Sequence, residues 1–163
     1  MSVRVNYSVQ CSVVETLETG IDGLDIGDKA VTHNAFNSKE NLGSASTVPV
    51  TKVASWTEVL SGGADDVQFD SLTGVNGATV DGTGLRVQVI KIKNKAGNDV
   101  ITIAPKAATD DYLLLGAAFT FKLLAGQEFT FFGNELAPEA GAGDAITITG
   151  TSSDEVEIIV VMG

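Results

Sequence analysis

Residues Leu85–Pro105 read LRVQVIKIKNKAGNDVITIAP, residues Phe119–Phe132 read FTFKLLAGQEFTFF, and residues Ala145–Met162 read AITITGTSSDEVEIIVVM. Each is a run of β-branched or aromatic residues, a polar turn, and a second such run. Runs of this kind bounded by Gly, Asn, Asp and Ser are what antiparallel strands require, so each segment is expected to fold as a hairpin. Alternation is clear at Phe119, Phe121 and Leu123 and again at Phe129 and Phe131, which gives each strand one greasy face. In the last strand Val156, Ile158 and Val160 alternate with Glu155, Glu157, Ile159 and Val161. That strand begins half exposed and ends apolar on both faces, so it needs cover from a second sheet or from a neighbouring subunit.

The rest of the chain agrees. Ser61–Gly84 is punctuated by Gly62-Gly63, Gly74, Gly77, Gly82 and Gly84, marking turns around short strands at Asp66–Leu72 and Ala78–Val80. Thr47–Leu60 is strand-like, with Pro49 at an edge or a strand start because proline cannot donate to a ladder. Near the N-terminus Val3, Val5, Tyr7, Val9, Cys11 and Val13 alternate with Arg4, Asn6, Ser8, Gln10 and Ser12. From Thr19 to Asn41 the chain reads as an extended arm or long loop with one short strand at Lys29–Phe36. Roughly eight useful strands without interposed helices predict an all-β fold, an antiparallel β-sandwich or jelly roll with an extended N-terminal arm. Residues 1–45 form the first strand and arm; residues 46–163 form the sandwich domain.

Size and charge bound the function. A chain of 163 residues, 44% apolar, is one domain large enough for a real core. No apolar run approaches the ~20 residues needed to span a bilayer as a helix, and the start lacks the pattern of a secretory signal, so synthesis in a cytoplasm is expected. The net charge of −11 repels nucleic-acid phosphate and anionic lipid, so neither is an expected direct partner.

Residues that do chemistry are scarce. One Cys, Cys11, and one His, His33, are too few for zinc and exclude an intramolecular disulfide. Cys11, on an apolar alternation, reads as a buried inert thiol. No Gly-x-Ser-x-Gly elbow occurs. Asp22, Asp25 and Asp28 in a Gly-rich turn are weak calcium candidates, although their spacing does not fit an EF-hand loop. Asp65, Asp66, Asp70, Asp110 and Asp111 flank turns and read as turn formers rather than as an acid pair for glycoside hydrolysis. Val75-Asn76-Gly77 and Asp81-Gly82-Thr83-Gly84 read as hairpin turns, since no helix follows to meet a phosphate. Trp56 reads as a core or interface anchor before a sugar platform. No catalytic residue, cofactor site or enzymatic activity is expected. Phe119, Phe121, Phe129, Phe131, Trp56, Ile158 and Val160 offer more apolar face than one small sheet needs, and are the expected interface.

The stretch Ser61–Asn94, followed by ITIAP at 101–105, LLAGQEFTFF at 123–132 and DAITITGTSSDEVEIIVVMG at 144–163, resembles small structural proteins of bacterial viruses. These are capsid decoration (cement) or minor capsid proteins with a jelly-roll or sandwich body. The resemblance covers roughly residues 50–163 and rests on alternating strands, Gly-Thr-Gly turns and an acidic balance. It implies a non-enzymatic protein of the virion surface that binds the major capsid protein or neighbouring virion subunits. It also implies a homo-oligomer, with a trimer favoured. Two other roles compete: a receptor- or carbohydrate-binding module of a viral spike, and the major shell protein itself.

Overall fold

The computed structural model describes residues 4–9, 13–17, 29–33, 38–106, 110–133 and 136–163. Among them are fourteen strands and no α-helix: β1 (Val5–Val9), β2 (Val13–Leu17), β3 (Lys29–His33), β4 (Ser38–Leu42), β5 (Lys52–Val59), β6 (Ala64–Gln68), β7 (Leu72–Thr73), β8 (Thr79–Val80), β9 (Val87–Asn94), β10 (Ile101–Pro105), β11 (Phe121–Leu123), β12 (Glu128–Phe132), β13 (Ala145–Thr149) and β14 (Glu155–Met162). Eight of them form two four-stranded antiparallel sheets, ordered β12-β9-β14-β5 and β11-β10-β13-β6. The chain is an all-β sandwich.

The three apparent hairpins are not hairpins. β9 and β10, β11 and β12, and β13 and β14 each place one strand in one sheet and the next in the other, as do β5 and β6. The connections are four to six residues long. A two-residue loop keeps both strands in one ladder, whereas four extended residues reach the ~10 Å between packed sheets. Composition cannot separate the two cases, because both need apolar runs around a polar Gly-containing turn. Strands pair in a nested order instead: β5 with β14, β6 with β13, β9 with β12 and β10 with β11.

Register explains the core. One inward row crosses its sheet as Phe129, Ile92, Ile158 and Trp56; the next runs Phe131, Ile90, Val160 and Ala54. The facing sheet supplies Phe121, Ile103 and Ile148, with Ile101, Ile146 and Val67 beside them. The central members of these rows have essentially no exposure. Ile158 and Val160 therefore belong to the interior of the sandwich and not to an interface, because the second sheet of the same chain covers them.

The outward faces obey the same alternation. Lys91, Lys93 and Lys95 face Glu128, Glu157 and Glu155 at 2.9, 3.3 and 2.5 Å, a solvated charge ladder. Where that face turns apolar at Val89 and Val161, the cover comes from Leu42 and Val50, with Val5 and Phe132 packed beside them. The N-terminal region thus contributes to a second, smaller core. Where an extended arm or long loop is expected over residues 19–41, β1 pairs with β4 and β2 with β3. The Lys29–Phe36 strand is observed as Lys29–His33.

Candidate interaction surfaces

The four inter-sheet corners meet at one end of the sandwich and are tied by polar contacts. Asn94, fully buried, donates through Nδ2 to the Asp99 and Leu123 carbonyls at 2.8 and 3.0 Å, and its Oδ1 accepts from Asn98 at 2.7 Å. Asn98 in turn donates to the Glu155 carbonyl. Asp154 accepts from the Thr151 and Asp99 amides, while the Thr151 hydroxyl donates to Asp99. The Gly150 amide donates to the Gly63 carbonyl, which adds the β5–β6 corner. Asn94, Asn98, Asp154 and Thr151 each make at least one bond to a different corner, which clasps this end of the sandwich.

The opposite end is organised by Tyr112. Its ring lies 4.3 Å from that of Phe69, and its hydroxyl accepts from the Val87 amide at 3.2 Å and donates to the Pro138 carbonyl at 2.7 Å. Burial pushes its pKa up to about 12. Of the acids expected as turn formers, Asp65 and Asp70 hold loop amides, whereas Asp66 lies within β6 and bonds across to β13. Asp65 accepts from the Ser61 amide, Asp70 from the Gly143 amide, and Asp66 from the Thr147 hydroxyl while pairing with Lys106 at 3.3 Å. Tyr112 is too buried to stack on a sugar. Val75-Asn76-Gly77 does make a hairpin turn, between β7 and β8. Asp81-Gly82-Thr83-Gly84 is also a turn, with the Thr83 amide on Asp81, but it leads from β8 to β9, which do not pair.

The expected interface residues divide. Phe119, Phe121, Phe129 and Phe131 form a ring ladder with centroid spacings of 5.8, 4.6 and 6.3 Å. It runs across the sandwich edge where β11 and β12 are the outermost strands, and its rings are half-buried. Trp56 occupies the other edge on β5, half-buried, its Nε1 donating to Glu58 at 2.7 Å. On the outer face beside it, Val53 and Ile159 are 38% and 41% exposed.

Two hollows flank the Gly43–Ser46 turn at the root of the β1–β4 pair. The larger, about 590 Å³, is lined by Arg4, Asn6, Asn41, Ser44 and Ser46 over Leu42; the smaller, about 360 Å³, reaches Gln88 and Phe132. Asn6 and Asn41 are directly opposed across the strands, so their amides share a face. Sequence reading missed this feature, although Arg4 and Asn6 stand on the polar side of the first alternation. It also missed the Asn94 clasp, whose signal was a polar residue in step with Ile90 and Ile92.

Asp22, Asp25, Asp28 and Cys11 lie outside the described residues, and His33 is placed only as a member of β3 opposite Val13. Among the described residues no group of three or more His, Cys, Asp or Glu could hold a metal ion. No protein-family model, no curated protein and no solved structure matches this chain.

Proposed function

We propose that the chain is a non-enzymatic structural protein of a virus particle, a capsid decoration or minor capsid protein that binds and stabilises the assembled shell. The observation that carries this reading is the nested strand order, β5-β14-β9-β12 facing β6-β13-β10-β11. This nesting supports a jelly-roll reading of the sandwich, the double-sheet architecture of viral capsid and lectin domains and of cupins. Fold alone does not fix a role; the resemblance to bacteriophage decoration proteins selects the first of these. The net charge of −11 suits an outward surface that resists nonspecific sticking. The Phe ladder and Trp56 are the proposed contacts with the major capsid protein or neighbouring virion subunits. The test is immunodetection across a density gradient of particles from the native source. Co-banding with nuclease-protected DNA or RNA supports the proposal; recovery only in the free-protein fractions refutes it.

A second reading, a carbohydrate-binding module, is favoured by the hollow at Arg4. Among the described residues its lining carries one guanidinium, two carboxamides and two hydroxyls but no carboxylate, a set suited to a sugar acid. Glycan binding lost in Arg4→Ala would transfer the role to this site.

A further inference from the structure

We propose that the free edge of β5 pairs with β5 of a second copy of this chain, antiparallel about a two-fold axis at Ser55. This deepens the assembly reading above by naming a partner. It is read on the purified chain alone, so it can fail while capsid association stands, and the reverse.

The four edges of the sandwich differ in how well they are protected. β11 has three residues, and the Phe ladder crosses the edge it shares with β12. β6 carries adjacent Asp65 and Asp66, whose charges resist a like strand. β5 is eight residues long, contains no proline, and is bordered in its sheet only by β14. β7 and β8 lie near it without hydrogen bonding to it. Its outward N–H and C=O groups therefore have no partner among the described residues, and a strand of matching register would satisfy them.

The sequence of β5 supplies that register on itself. Inward-facing Ala54 and Trp56 share their side with Lys52 and Glu58, because alternate residues lie on one face. With Ser55 on the axis, Lys52 of each copy stands opposite Glu58 of the other, and Ala54 opposite Trp56. Opposite charges then meet at both ends, and the small residue faces the large one. Sliding by one pairing step either way puts Lys52 opposite Trp56 or Leu60 and loses both ion pairs. On the outer side Val53 meets Thr57, joining the exposed Val53 and Ile159 of each copy to a continued surface. Such a contact is isologous and closes at two copies; a trimer needs a different surface.

The experiment is cysteine crosslinking of the full chain in a Cys11→Ser background, together with sedimentation of charge variants. Ser55→Cys brings two thiols together across the axis, within disulfide reach. Val59→Cys leaves its thiols about 26 Å apart. The expected result is a nonreduced dimer with Ser55→Cys and none with Val59→Cys. Lys52→Glu should weaken self-association about tenfold, and Lys52→Glu with Glu58→Lys should restore it. Equal crosslinking at both positions, no crosslinking at Ser55→Cys, or a double swap as weak as the single would overturn the pairing.

Discussion

The Asn94 side chain donates to the Leu123 carbonyl at 3.0 Å, joining the end of β9 to the end of β11 in the opposite sheet. The same amide group also holds the Asp99 carbonyl at the β9–β10 corner. Asn94→Leu keeps a similar volume but leaves both carbonyls and the Asn98 amide short of a partner. Unpaired buried polar groups cost about 1–3 kcal/mol each before relaxation. A loss of about 2–4 kcal/mol in urea unfolding is expected; a loss under about 0.5 kcal/mol would show that the corners hold without this clasp.

Tyr112 ties the other end, and its pKa gives a pH dependence. Burial raises the phenol to about 12 from its ordinary 10.0. The folded state therefore holds its proton where the unfolded chain has lost it. Tyr112 contributes fully below pH 10, and that contribution is lost as pH rises through about 12, up to about 2–3 kcal/mol. Urea midpoints of the native chain and Tyr112→Phe should converge over this window. Parallel curves from pH 9 to 12 would contradict the assignment.

Two glycines make a stringent test of packing. A Cβ on Gly82 would sit 2.2 Å from the Phe69 carbonyl oxygen and 2.7 Å from the Met162 sulfur, whereas one on Gly97 would meet nothing within 4 Å. Gly82→Ala should destabilise by about 2 kcal/mol or more, and Gly97→Ala should stay within about 0.5 kcal/mol of the native chain. Equal melting temperatures for the two variants would place the β8–β9 turn elsewhere.

Most of the strands were legible because alternation is local. Ile90 and Ile92 against Lys91 and Lys93 state both the strand and its two faces. Pairing was not legible. Whether Lys95–Val100 turns within a ladder or across to a facing sheet depends on which distant strand, β14 or β13, waits to receive the next apolar run. The core placement of Ile158 and Val160 follows from that partner choice. Clustered contacts such as Asn94 with Leu123 span 29 residues, and the hollow at Arg4 needs the β1–β4 pairing to exist at all. The cover over Val161 was foreseen in kind, as a second sheet or a subunit, but its supply by Leu42 and Val50 was not.

Removing residues 1–45 tests that cover. The deletion strips Leu42 and Val5 from Val50, Val89, Val161 and Phe132 while leaving both four-stranded sheets intact. A truncated chain that still unfolds cooperatively, yet binds an apolar dye that the full chain ignores, is the expected outcome. Failure to fold would make the N-terminal region part of the main core.

The account rests on this chain working by assembly, and the molar mass of the purified full chain in solution tests that most directly. Light scattering coupled to size-exclusion chromatography should give a dimer or larger species whose share rises with concentration. A monomer at every concentration would contradict self-assembly through β5 and would leave capsid association to be decided by the particle gradient.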